Sequence, residues 1–164
     1  PGTMANAITV GSYDWNDNYH RNGANSVIYG ACSKPDSLIQ IGAISCYSSP
    51  GPTRDGRLKP DIVAPGQWFT SSAARINGQL VKPNYADSTG NYRLMNGTSA
   101  ATPYTAGIVA LMFERKPTLS VGEIKELFRT NGTKSTSDGT LQKDFWGAGK
   151  LDYDAVNRIF AAIK

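Results

Sequence analysis

Ser99 lies in the run Asn96-Gly97-Thr98-Ser99-Ala100-Ala101-Thr102-Pro103, whose residue types suit a nucleophile placed where a tight turn enters a helix. The preceding Tyr92-Arg93-Leu94-Met95 reads as a strand, and residues 99–113 carry no charged side chain. The first N–H groups of a helix have no partner within it and lie at the positive end of its dipole. A serine there offers a hydroxyl for attack and its own N–H for a developing oxyanion. Gly97, Ala100 and Ala101 are small enough to let a substrate backbone approach. By type alone, however, Gly-Thr-Ser is common in loops, and a Ser at a helix start is more often an N-cap than a nucleophile.

Three further stretches bear on that choice. Pro1-Gly2-Thr3 precedes a strand-like segment, Asn6-Ala7-Ile8-Thr9-Val10-Gly11-Ser12. Residues 46–66 run from a strand end through a Pro- and Gly-rich loop, which its charges keep solvated, to a short buried strand at Ile62-Val63-Ala64 and a Pro65-Gly66 turn. Trp146-Gly147-Ala148-Gly149-Lys150-Leu151-Asp152 is a glycine turn ahead of the last helix.

In this order and over nearly the whole chain, the four stretches resemble the subtilisin-like serine proteases. Ser48-Ser49-Pro50-Gly51-Pro52 and Asp55-Gly56-Arg57-Leu58-Lys59-Pro60-Asp61 through Gly66 are similar to the loop ahead of that family's nucleophile, with Pro50 where Arg is frequent. The nucleophile motif there is Gly-Thr-Ser-Met-Ala-x-Pro. Ala100 replaces the Met and removes an oxidisable thioether.

The resemblance implies an α/β fold: a mostly parallel sheet, flanking helices and a buried central nucleophile helix. It implies a serine endopeptidase working through an acyl-enzyme on Ser99. Asn96, Gly97, Thr98, Ala100 and Pro103 complete the motif, and the Ser99 backbone N–H is one oxyanion donor. Such chemistry also needs a base and a carboxylate to orient it. The family's chain order is Asp, His, Ser, and its oxyanion Asn also precedes the first matching strand. All three partners are therefore expected upstream of Pro1. Residues 1–164 are read as the C-terminal portion of one peptidase domain, inactive alone, with the upstream half as partner and a protein or peptide as substrate. An unpaired sheet edge and bare apolar surface lead us to expect self-association. The rival reading is a non-catalytic pseudoprotease or scaffold with the same fold.

No residue in this chain replaces the missing base. His20 lies in the polar run Asn18-Tyr19-His20-Arg21-Asn22-Gly23, without the Gly-Thr that follows the family's catalytic His, and reads as a solvated loop histidine. Lys59 and Lys116 show no pattern that would make a Ser–Lys dyad.

Composition narrows the remaining classes. With 164 residues, 40% hydrophobic and 18% charged, the chain has enough apolar material for a core. The net charge of +4 comes from scattered basic residues, which gives no nucleic-acid footprint. No apolar run reaches the ~20 residues of a membrane span. Secretion or a cell-surface location is implied by the resemblance alone. Cys32 and Cys46 allow one disulfide at most, and buried thiols fit equally well. No zinc spacing occurs, and the Asp14–Asn18 run lacks the Gly and Glu of a calcium loop. No cofactor is expected for catalysis. Structural calcium is widespread in the resembling family, but no site is assigned.

Residues 7–11 and 39–45 read as strands, 14–35 and 73–90 as polar connections, and 67–72 as a continuation of the sheet. Ser120 and Glu123 form a capping box for a helix with Ile124, Leu127 and Phe128 on one face, ending at Asn131-Gly132. Asp152 caps a final helix with Val156, Ile159, Phe160 and Ile163 as its stripe.

Overall fold

An uninterrupted run of buried residues, Ile62–Gln67, organises this chain in the computed structural model. The structure describes residues 2–15, 18–21, 24–27, 41–80, 86–134 and 142–164. In chain order the strands are β1 (Val10–Asp14), β2 (Asn18–Arg21), β3 (Ala24–Val27), β4 (Ile62–Gln67), β5 (Phe69–Ser72), β6 (Arg75–Ile76), β7 (Gln79–Leu80) and β8 (Tyr92–Met95). The helices are α1 (Thr98–Arg115), α2 (Val121–Asn131), α3 (Lys143–Trp146) and α4 (Tyr153–Ala162).

β4 pairs in parallel with β1, Val10 opposite Ile62 and Ser12 opposite Ala64, and a parallel bridge joins Val63 to Lys150. A strand with neighbours on both sides and cover on both faces reads as continuous apolar sequence. Its side chains still alternate. Ile62 and Ala64 enter the larger core with Ala101 and Met112 of α1, Ile124 and Phe128 of α2, and Ile159 of α4. Val63 turns to a smaller cluster with Tyr13 and Trp146. The α/β class thus rests, in this chain, on β1 and β4 with α1, α2 and α4 against them. Three further two-stranded ribbons among the described residues, β2–β3, β5–β8 and β6–β7, are antiparallel.

The helix ends follow the sequence closely. Ser120 Oγ accepts from the Glu123 N–H at 3.2 Å, and Glu123 Oε2 accepts from the Ser120 N–H at 2.8 Å. The Ser120 N–H, together with the Ser120 hydroxyl 2.8 Å from the same Oε2, holds the Glu123 carboxyl below its usual range. Asp152 Oδ1 accepts from the Ala155 N–H at 2.9 Å and from Thr133 Oγ1 at 2.7 Å, so it caps α4 and ties it to the end of α2.

Several elements differ from the sequence reading. β1 starts three residues later than the predicted 7–11 strand and runs on to Asp14, because pairing with β4 sets its bounds. Residues 41–45 form turns with one isolated bridge, Tyr13 to Ile44, where a strand was expected; residues 39 and 40 lie outside the described set. The 14–35 connection contains the β2–β3 ribbon, in which the His20 backbone is opposite Asn25. The 73–90 connection contains the β6–β7 ribbon. Asn77 and Gly78, with φ of 50° and 77°, make the turn that Asn-Gly favours.

Lys59 corrects the reading of a loop kept solvated by its charges. It is 7% exposed, and its Nζ donates to Asp61 Oδ2 at 2.6 Å and to the Ala7 carbonyl at 3.1 Å. The same Asp61 oxygen accepts from the Thr9 N–H at 2.7 Å, while its second oxygen meets Lys125 Nζ at 3.1 Å. This carboxylate fastens β1, β4 and α2 together at one end of the sheet. Asp61→Ala leaves the buried Lys59 ammonium without a counter-ion, and about 3–5 kcal/mol of stability should be lost. Urea unfolding of the two proteins measures it.

Tyr13, 3% exposed, has a buried hydroxyl without a hydrogen-bond partner among the described residues. Burial, with smaller contributions from Asp152 and Tyr104, pushes its pKa well above the usual tyrosine value of 10.0. The unfolded chain ionises first. Stability is therefore retained below pH ~10 and lost as pH rises beyond it. Tyr13→Phe should leave the melting temperature at pH 7 nearly unchanged and reduce the loss between pH 10 and 12, read by thermal melts across that range.

Candidate active site

β4 ends at Gln67, and Trp68, at φ 52°, turns the chain into β5. β5 pairs antiparallel with β8, Phe69 opposite Met95, so the hairpin carries Asn96 and Gly97 back to the C-terminal end of β4. There the Gly97 N–H donates to the Gly66 carbonyl at 2.8 Å. The Phe69 ring meets Tyr104 of α1 edge-on, 5.8 Å between centroids, and supports the hairpin against the helix. The C-terminal end of parallel strands is where α/β folds commonly build their sites.

Gly97 is the N-cap of α1, with φ 102° and ψ 168° and no side-chain cap. A side chain is strained at that φ, so glycine is the residue that fits. The Gly97 carbonyl accepts from Ala100 N–H at 2.9 Å and from Ala101 N–H at 3.4 Å. Among the described residues nothing accepts from the N–H groups of Thr98 and Ser99. Ser99 is exposed, and its Oγ has no hydrogen bond among the described residues. The turn thus presents a free hydroxyl beside free N–H donors at a helix N-terminus, the arrangement that stabilises negative charge.

The other motif residues divide between surface and core. Asn96 is exposed and Thr98 half-buried, whereas Ala100 and Ala101 are 3% and 0% exposed. Their small side chains therefore serve close packing of α1 on the strands, in place of the substrate access read from sequence. Pro103 is the sixth residue of α1. It has no N–H for the Ser99 carbonyl four residues back, so that carbonyl stays outside the helical ladder.

α1 is buried along Ala101, Thr105 and Met112, and exposed along Thr102, Ala106, Gly107, Ala110, Leu111 and Phe113. The expected cover on both sides is met, within this chain, on the side of β1 and β4.

Residues not singled out by sequence gather behind the turn. Ser12, Ser45 and Ser48 are buried, and Tyr47 is partly buried with its hydroxyl 3.2 Å from the Gly97 nitrogen. Ordinary polar residues in a strand and a loop carry no signal of this; the docking of the 42–48 segment on β1 brings them together. Cys46, next to Tyr47, is disulfide-bonded. The chain's other cysteine, Cys32, lies outside the described residues. No group of three metal-ligating side chains occurs among the described residues, and no helix there is long and apolar enough to cross a membrane.

Comparison with known proteins places this geometry. The model of the subtilase family matches residues 1–149. Serine protease AprX of Bacillus subtilis (strain 168) is 35% identical over 153 residues, which is 93% of this chain and 30% of that protein. The protein aq_aa18 of Aquifex aeolicus (strain VF5) is 32% identical over 176 residues, covering 97% of this chain and 71% of it. Among solved structures, the CspB protease of Clostridium perfringens superposes on 100% of this chain and 29% of its own, with a TM-score of 0.63 at 22% identity. The chain belongs to the subtilase family. It spans under a third of AprX and about seven-tenths of the Aquifex protein.

The contact of Gly66 with the turn gives a direct test. A Cβ on Gly66 would collide with Ser12 Oγ and come within 2.8 Å of the Gly97 carbonyl oxygen, both held by backbone pairing. Gly66→Ala should cost about 1–3 kcal/mol, as overpacking does, while Ser99→Ala at the exposed position should stay within ~0.5 kcal/mol of wild type. Paired urea titrations would show the contrast.

Proposed function

We propose that this chain carries the nucleophile of a serine endopeptidase, as the C-terminal portion of a subtilisin-like catalytic domain. The observation that carries the proposal is the exposed Ser99, with free Oγ and free N–H, on the first turn of α1 in a chain of the subtilase family. In the complete site Ser99 Oγ loses its proton to a His supplied upstream and attacks the scissile carbonyl. The Ser99 N–H and an upstream Asn side chain hold the oxyanion. The leaving amine departs with a proton from that His, and water then releases the acyl group.

The upstream half of the domain is the partner that completes this chemistry. The chain's span of 30% of AprX supports that, as does the exposed face of α1 around Ala106, Gly107 and Ala110. A helix that carries no charged side chain from Ser99 to Phe113 is built to be covered on both sides along that length. Left uncovered, the same face is the expected route to self-association. The disulfide at Cys46 favours an oxidising compartment, in keeping with a secreted or cell-surface enzyme acting on protein substrates.

Fluorophosphonate labelling tests the proposal, with Ser99→Ala as control. Label should appear on Ser99 when the upstream half is joined to this chain, and the 164-residue chain alone should stay unlabelled. Absence of label in both would favour a pseudoprotease. Label on the isolated chain would overturn the need for the upstream half.

A further inference from the structure

We propose that Tyr47 is a positioning residue for Ser99, holding the turn before it through a one-way chain of hydrogen bonds that ends on Asp14. This rests on reading Ser99 as the nucleophile.

Heavy-atom distances link five groups in sequence. The Gly97 nitrogen lies 3.2 Å from Tyr47 Oη, which lies 3.2 Å from Ser12 Oγ. Ser12 Oγ lies 2.9 Å from Ser45 Oγ, and Ser45 Oγ lies 2.7 Å from Asp14 Oδ1. The two ends set every proton between them. A backbone N–H can only donate and an ionised carboxylate can only accept. Ser45 therefore spends its proton on Asp14 and accepts from Ser12. Ser12 in turn accepts from Tyr47, and the Tyr47 oxygen is left free to accept from Gly97. The links shorten toward the carboxylate, as expected where one partner is charged, and hydroxyls aligned in one direction polarise each other.

The chain is built into the fold. Ser12 and Ser45 are 0% and 1% exposed, and the Ser45 N–H donates to the Ser12 carbonyl at 2.9 Å. The Ser12 N–H donates to Ser48 Oγ at 3.0 Å, so both the main chain and a side chain of the 45–48 segment bind β1. The two serines satisfy each other and Asp14 without Tyr47. What the tyrosine hydroxyl adds is the connection to Gly97, the N-cap two residues before Ser99. The Gly97 N–H is shared with the Gly66 carbonyl at 2.8 Å, so Tyr47 refines the placement of a turn that β4 already holds.

Tyr47→Phe removes one oxygen and keeps the ring. In the encoded full-length protein it should slow fluorophosphonate labelling of Ser99 about fivefold, the worth of one neutral hydrogen bond. Amide hydrogen exchange across residues 97–101 should quicken, with α2 and α4 unchanged. Equal labelling rates in wild type and variant would overturn the proposal and leave the nucleophile reading intact. Faster exchange throughout the protein would show a general structural role and also overturn it. A wild type that takes no label would instead sink the nucleophile reading. Positioning of the turn is then judged on exchange alone, where an unchanged rate across residues 97–101 refutes it.

Discussion

Burial of β4 on both faces is the constraint on which the rest of this chain depends. Six consecutive residues without access to water must satisfy their backbone groups within the protein. β1 on one edge and the 149–151 segment on the other supply the partners: the Val63 N–H donates to the Gly149 carbonyl at 3.0 Å, and the Leu151 N–H to the Val63 carbonyl at 2.7 Å. The alternation of Ile62 and Ala64 with Val63 then decides which elements cover which face.

The two ends of that strand serve different purposes. At the N-terminal end Asp61 lies between Lys59 and Lys125 and locks the sheet to α2. Charges are tolerated there because each has a partner at hydrogen-bond distance. At the C-terminal end the strand gives way to Gly66, which admits the Gly97 turn at a distance no other side chain would allow. Rigidity at one end and close approach at the other place the α1 N-terminus against a fixed backbone. A nucleophile needs such support, since a small displacement of the reacting atom costs rate.

α1 joins the molecule to what lies outside it. Its buried side seals the core through Ala101 and Met112, while its opposite side presents small apolar residues to solvent. The free Ser99 hydroxyl fits the same pattern. The groups expected to accept its proton and share its oxyanion belong to the portion of the domain proposed to cover that side. On the proposed reading, this chain supplies the nucleophile and its turn, and the portion covering that side supplies the means of activation.

Much of this was legible in the residues. Ser120 and Glu123 announced α2, Asp152 announced α4, and the uncharged run after Ser99 announced α1, because caps and periodicity act over a few neighbours. Local rules could not show that the segment around Ile44 would bridge to β1 without forming a strand, or that Lys59 would be buried. Strand bounds depend on which partner is available, and a lysine's burial depends on a carboxylate brought up by folding. The sequence by itself determined α1, α2 and α4, their caps and the Asn-Gly turn, while α3 had no signal in it. Only the tertiary structure decided that Ser12, Ser45, Tyr47 and Gly66 would meet behind Gly97, because residues tens of positions apart are joined there by the docking of the 42–48 segment on β1 and of the Gly97 turn on β4, which no rule acting over a few neighbours encodes.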